Sequence, residues 1–371
     1  MPQRFEEQVR SSLARLEERP DTESLMAGLV ERKSRVRRRR VGGSVAAFVV
    51  ALGLAAGGLA LLNAAFGGDP AGKPAAPDTL ELEPAKPPLV DPDPRAIDIY
   101  ERFGDIAFQS NRTGSYELYR FSAEGLEQLT HGPGDPTGPV WSPDSEYIAF
   151  SKWSNGRTNL WLLNVSDGST TRLTNLRADE GDPQWTPDSR WILFSSNGLN
   201  NGGINAVSLE TGEIASLIPQ TLEYSIFEPG LSSDGGTLYY TYAHLDESRD
   251  IYSVSIRQAP GSPPASSGEP QLVLGGDQDQ DQAAPSPNGD LLAYVSGDHI
   301  RVLDLETGRD WQVTTGPGSQ SNPSWSPDQR QIFFTNTRYP DLDVYVANVD
   351  GSGVENLTGD PGDGAQPAVR P

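Results

Sequence analysis

A four-residue core, Trp141-Ser142-Pro143-Asp144, returns as Trp185-Thr186-Pro187-Asp188 and Trp325-Ser326-Pro327-Asp328. Worn copies stand at Leu231-Ser232-Ser233-Asp234 and Pro285-Ser286-Pro287-Asn288, so the intervals are 44, 46, 54 and 40 residues. Self-similarity at that period marks solenoids and propellers. Each core is followed by an apolar triplet: Ile148-Ala149-Phe150, Ile192-Leu193-Phe194, Leu238-Tyr239-Tyr240, Leu292-Ala293-Tyr294 or Ile332-Phe333-Phe334. Pro presets φ for the second position of a type I turn and Asp suits the third, so the core predicts a hairpin turn between two strands. A third strand, an Asp-Gly or Thr-Gly turn such as Asp167-Gly168 or Thr307-Gly308, and a fourth strand ending in Leu129-Thr130, Leu173-Thr174, Val313-Thr314 or Leu357-Thr358 complete each repeat. Four short strands and three turns make one antiparallel propeller blade.

The first blade begins late, at Asp105-Ile106-Ala107-Phe108, with no turn core before it. The missing strand is at the other end of the chain, where Gln366 to Pro371 aligns with Pro139 to Pro143. The expected fold is therefore all-β: a six-bladed propeller of four-stranded antiparallel blades over 97–371, closed by the C-terminal strand. Closure removes the exposed sheet edge.

Three segments precede it. Residues 1–40 carry 11 Lys/Arg against 7 Asp/Glu and have helical apolar spacing at Phe5, Val9, Leu13 and Leu16, then at Leu25, Leu29 and Val36. They read as a cytosolic helical stub, able to meet a cytosolic partner. Val41 to Phe66 has no charged residue and is long enough for a transmembrane helix. Seven Lys/Arg in 32–40 set its cytoplasmic side. That context replaces a nucleic-acid reading of the basic run, leaving the N-terminus inside and the propeller extracytoplasmic. Residues 67–96 hold eight prolines between Gly67 and Arg95 and read as a Pro-rich spacer. The excess acid behind the net charge of −22 lies after the span.

The Trp-Ser-Pro-Asp core, the triplet and the closing Leu-Thr together resemble the WD40-like repeat of TolB-type propellers across roughly 97–371. The resemblance implies a domain that binds protein partners. Prolyl oligopeptidase relatives use a similar propeller beside a hydrolase domain, but no Gly-x-Ser-x-Gly elbow is present. Cysteine is absent, which excludes disulfides, Cys-based zinc sites and a thiol nucleophile. A stub ahead of a span resembles membrane-bound anti-sigma factors; their zinc signature needs His and Cys, and the stub has neither.

In such a propeller the loops entering the innermost strands share one face with the loops after the triplets. The entering loops bring Asp135, Asp179, Glu180, Asp182, Glu223, Glu228, Asp277, Asp279, Asp281, Asp360 and Asp363, and the others bring Arg112, Trp153, Arg157, His244, Arg249, Arg338 and Tyr339. The expected site is an acidic channel mouth that attracts a basic segment of an extracytoplasmic protein or peptide, or a glycan. These acidic loops are expected to have no packing duty, so changing Asp179, Asp182, Asp277, Asp279 and Asp281 to Asn should leave folding intact or improve it. Asp277, Asp279 and Asp281 are weak Ca²⁺ candidates, although the loop lacks the glycine and closing glutamate of an EF-hand. No catalytic residues and no other cofactor are expected. A non-catalytic binding protein is the leading reading, ahead of a transmembrane sensor with residues 1–40 as output, and of a propeller hydrolase.

Overall fold

The structure is a computed structural model that describes residues 82–83, 89–198, 202–221, 224–244, 248–259, 262–338, 341–359 and 362–371. The stub, the apolar stretch 41–66 and most of the Pro-rich segment lie outside these. Among the described residues no helix is long and apolar enough to cross a membrane.

The turn core acts as its chemistry requires. Ser142 N–H donates to Tyr147 O (2.9 Å) and Ser145 N–H to Ser142 O (2.8 Å). The Ser142 hydroxyl donates to Asp144 Oδ1 (2.6 Å) and accepts from Tyr147 N (2.9 Å), while Asp144 Oδ1 also accepts from Glu146 N (3.1 Å). The residue after the Asp or Asn is left-handed at every repeat: Ser145, Ser189, Gly235, Gly289 and Gln329 all have φ between 58° and 80°. A type I turn followed by a left-handed residue gives a four-residue hairpin loop, Pro143 to Glu146, inside the Ser142–Tyr147 pair.

Each hairpin seeds one sheet. Blade two runs outward through Thr137–Trp141, Tyr147–Ser154, Arg157–Asn164 and Thr170–Arg172. Blades three to six repeat the order, starting from inner strands Glu180–Trp185, Tyr224–Leu231, Gln280–Pro285 and Ser319–Trp325. In blade one the inner strand is Gly364–Val369, which pairs antiparallel with Ile106–Ser110 in the register Val369↔Ile106 and Gly364↔Ser110. The first and last strands of the propeller thus share one sheet, and the six inner strands neighbour one another in a closed circle.

The triplets form the core because strand alternation serves two blades at once. Ile148 and Phe150 pack with Ala107 and Leu118 of blade one, whereas Ala149 faces Trp185, Ile192 and Phe194 of blade three. The same division recurs around the ring: Ile332 and Phe334 face blade five, and Phe333 faces blade one. A blade buried on both faces needs three consecutive apolar residues, which explains why the triplets do not alternate with polar ones.

The indole N–H groups of Trp141, Trp185 and Trp325 cross between blades, donating to Ala368 O (3.2 Å), Val140 O (3.0 Å) and Ala284 O (2.8 Å). The closing threonine is a latch. Thr130, Thr174, Thr314 and Thr358 Oγ1 accept from the third-strand N–H of Leu118, Leu160, Ile300 and Val344 at 2.8 to 2.9 Å. Each hydroxyl then donates to a carboxylate or amide: Glu117 Oε2, Glu180 Oε2, Gln320 Oε1 or Asp343 Oδ1.

The segment before the propeller is more structured than its proline content suggests. Leu82–Glu83 pairs with the outer strand of blade two (Leu82↔Thr171), and Leu89–Asp91 with that of blade one (Val90↔Glu127). Free outer edges accept a strand, and two short runs between prolines suffice. A helix, α1 (Pro94–Phe103), follows; Asp93 caps it by accepting from Arg95 N (2.9 Å), with Pro94 in its first turn. Ala96, Ile99 and Phe103 of α1 pack against Phe121 and Leu126 of blade one and Phe333, Val344 and Leu357 of blade six. Arg102 Nη1 donates to Glu355 Oε1 (2.9 Å) on the outer strand of blade six. The helix therefore spans the seam at which the ring closes, and residues 97–103 are a clamp on the propeller rather than its first strand.

Candidate binding face

The loops entering the inner strands and those after the triplets do share a face. Trp153 N–H donates to Gly134 O (2.7 Å), Asn197 N–H to Asp179 O (3.2 Å), and Gly297 N–H to Asp279 O (3.1 Å). Just inside this face every inner strand carries a bulge. The residue before the proline position is left-handed in all six: Gly138, Asp182, Glu228, Gln282, Asn322 and Gln366 have φ of 53° to 61°.

That turn of the backbone aims the side chains of Gln366, Glu228 and Gln282 at the next blade. Gln366 Oε1 accepts from Gly138 N (2.8 Å), Glu228 Oε2 from Gln282 N (3.2 Å), and Gln282 Oε1 from Asn322 N (2.6 Å). Strand-two hydroxyls support the circuit: Ser195 Oγ accepts from Glu228 N (3.0 Å) and Thr335 Oγ1 from Gln366 N (2.8 Å). The Asp182 carboxylate is held by the Ser195 hydroxyl and the Glu228 N–H. At Gly138 no side chain continues the circuit, and the buried Ser151 Oγ, the sister of Ser195, has no hydrogen-bond partner.

Two carboxylates in this circle are shifted upward. Burial, then the charges of Asp281 and Asp182, push Glu228 up to about 8. Burial also raises Asp182. Folded Glu228 therefore keeps a proton that an unfolded glutamate loses near pH ~4.3. Between those values the folded state binds more protons, so this group makes stability fall as pH rises through that window. Glu228→Gln should flatten the fall, raising the melting temperature at pH 8 more than at pH 5. An equal change at both would show that Glu228 is not the titrating group.

Several sequence-predicted residues have duties that the sequence reading denied them. Glu180 is 1% exposed; it accepts from Leu176 N (2.9 Å) as well as Thr174, and burial raises its pKa. Asp179 accepts from Thr158 N (3.0 Å), fixing the loop after a triplet. Arg249 reaches Asp279 Oδ2 (3.1 Å) and Asp281 Oδ2 (2.6 Å), and burial pushes Asp281 up to about 6 despite that cation. The expectation of cost-free Asn replacements is thus corrected for Asp179, whose carboxylate holds the Thr158 N–H, and for Asp279 and Asp281, whose loss strands the half-buried Arg249. The Ca²⁺ assignment falls with it: Arg249 already neutralises two of its three carboxylates, and Asp277 stands exposed. Among the described residues no cluster of three or more acidic or His side chains is placed to hold a metal ion.

Asp135, Asp277 and Arg157 are exposed, and Trp153 is 45% exposed, an unusually bare indole on this face. Glu223, Tyr339, Asp360 and the side chain of His244 lie outside the described residues. The sequence reading missed the circuit of Gln282, Asn322 and Gln366. Its signal was a polar column immediately before each proline position, interrupted only by Gly138.

These features define a six-bladed β-propeller whose repeats are similar to those of TolB-type propellers. Residues 125–260 match the family model described as the TolB beta propeller domain. The chain is 38% identical over 66 residues to a TolB homolog of Chlorobaculum tepidum, covering 17% of this chain and 15% of that protein. It is 28% identical over 234 residues to the Tol-Pal system protein TolB of Francisella tularensis subsp. mediasiatica, covering 60% of this chain and 52% of that one. The chain therefore spans about half the length of that relative. The crystal structure of TolB from Acinetobacter baumannii superposes with a TM-score of 0.62 at 20% identity, over 72% of this chain and 67% of that one. This last likeness carries the fold.

Proposed function

We propose that the chain is a non-catalytic binding protein of the cell envelope, tethered by Val41 to Phe66, whose acidic propeller face captures a basic segment of a protein or peptide partner. The observation that carries this is the uncompensated acid around the axis. Burial and the neighbouring charges of Asp281 and Asp182 raise Glu228, Asp135 and Asp277 stand exposed on the same face, and Trp153 lies bare there too. A cation arriving there relieves repulsion, and a tryptophan face accepts Lys or Arg. The Tol-Pal name of the Francisella relative supports an envelope setting, and the basic cluster before the apolar stretch supports an inside N-terminus.

The test has two arms. Protease added to spheroplasts should digest the propeller and spare residues 1–40; a propeller protected until lysis sinks the tether. Partners captured by the full chain should be lost at high salt and weakened by Asp135→Asn with Asp277→Asn and Trp153→Ala. Capture indifferent to both changes sinks the acidic face.

A further inference from the structure

We infer that the cleft at the closing seam, where α1 meets blades one and six, is a binding site for a monocarboxylate with an apolar body. This space of about 370 Å³ is floored by Ile99, Phe121, Leu126 and Leu357 and holds the half-buried guanidinium of Arg112. Arg112 Nε donates to Ser110 Oγ (3.1 Å), and its guanidinium carbon lies 5.1 Å from the Tyr119 ring centroid and 5.6 Å from that of Phe108. Its remaining N–H groups have no protein acceptor among the described residues, and burial holds its pKa below the usual arginine value.

The contrast with other arginines is sharp. Arg120, Arg249, Arg301 and Arg370 each hold a carboxylate at 2.6 to 3.0 Å. With 51 Asp/Glu against 29 Lys/Arg, acid is not scarce in this chain. A guanidinium withdrawn from water, stacked on aromatic rings and left with its fork free is preorganised for a planar carboxylate.

Asp91 and Asp93 line the same cleft but lie beyond ion-pair reach of Arg112, and Asp93 Oδ1 is committed to the helix N–H of Arg95. Arg95 and Arg112 balance the charges of Asp91 and Asp93 in the lining, so a singly charged carboxylate on the Arg112 fork is repelled less by the two aspartates than doubly charged phosphate would be. The apolar floor selects a hydrocarbon body, and the volume suits an aromatic or branched-chain acid. Since α1, the strand before it and both seam blades all contribute walls, a bound acid would also hold the clamp in place. The cleft is separate from the axial circuit, so the inference stands apart from partner capture.

Titrating the full chain with sodium benzoate against matched sodium chloride, by calorimetry and thermal unfolding, tests this. Benzoate should bind saturably and raise the melting temperature, and phosphate should do neither. Arg112→Gln should weaken benzoate at least about tenfold, about 1.4 kcal/mol, while the exposed Arg330→Gln changes nothing. Should Arg112→Gln fail to fold, Thr113→Trp, which narrows the mouth from an exposed position, should give the same loss. No saturable benzoate binding, equal binding of phosphate, or full affinity in a folded Arg112 or Thr113 variant would overturn the inference.

Discussion

Deleting Gly364–Pro371 is expected to destabilise the propeller by on the order of 5 kcal/mol or more, which is comparable to the whole stability of an ordinary domain. The segment is the inner strand of blade one. Its loss removes the buried Ala365 and Ala368, strips the acceptor from the Trp141 indole, and leaves Ile106–Ser110 with a bare edge. It also removes Gln366, whose amide oxygen holds Gly138. Helix α1 still bridges blades one and six, so the truncated protein should be opened rather than unravelled, with a low melting temperature and a tendency to associate through the new edge. A truncated chain that melts with the intact one and stays monomeric would refute closure by the C-terminal strand.

The second large effect concerns the repeated tryptophans. Trp185→Ala should cost about 3–5 kcal/mol, since it empties a site between blades two and three and leaves Val140 O without its donor. Trp153→Ala, at a 45% exposed indole, should cost no more than about 0.5 kcal/mol while weakening partner capture. Chemical denaturation of both variants separates them. If Trp153→Ala were as damaging as Trp185→Ala, the exposed indole would be a packing residue and the binding face would lose its aromatic contact.

The fold was largely legible because each local signal repeats. One Ser-Pro-Asp turn is weak evidence, but five in register with five triplets leave little choice of architecture, and the alignment of Gln366 to Pro371 with Pro139 to Pro143 located the closing strand. The helix Pro94–Phe103 and the added strands Leu82–Glu83 and Leu89–Asp91 escaped notice because proline density reads as extended chain. Nothing local shows that the two- and three-residue runs between prolines meet a blade edge far along the sequence. The site was half legible. Repeat topology placed the described acidic residues in loops of one face, but composition cannot separate Glu180, committed to a threonine latch, from Asp277, committed to nothing. That distinction depends on which carboxylate a hydroxyl or guanidinium reaches, and Arg249 is about 30 residues away from the aspartates it holds. The unpaired state of Arg112 is likewise a property of three elements brought together.

The axial circuit has a consequence for how such a chain can change. Repeat arrays grow and shrink by duplicating or losing whole copies, and an outer strand or a loop would tolerate that. The circuit would not. Its links run from the side chain of one blade to the backbone of the next at 2.6 to 3.2 Å, distances that a hydrogen bond cannot stretch far. A seventh copy would widen the circle and part these donors and acceptors together, leaving polar groups facing the axis without partners. The links made by Gln366, Glu228 and Gln282 thus act as a gauge for copy number, at the centre of the molecule, that holds only while the count of blades is six.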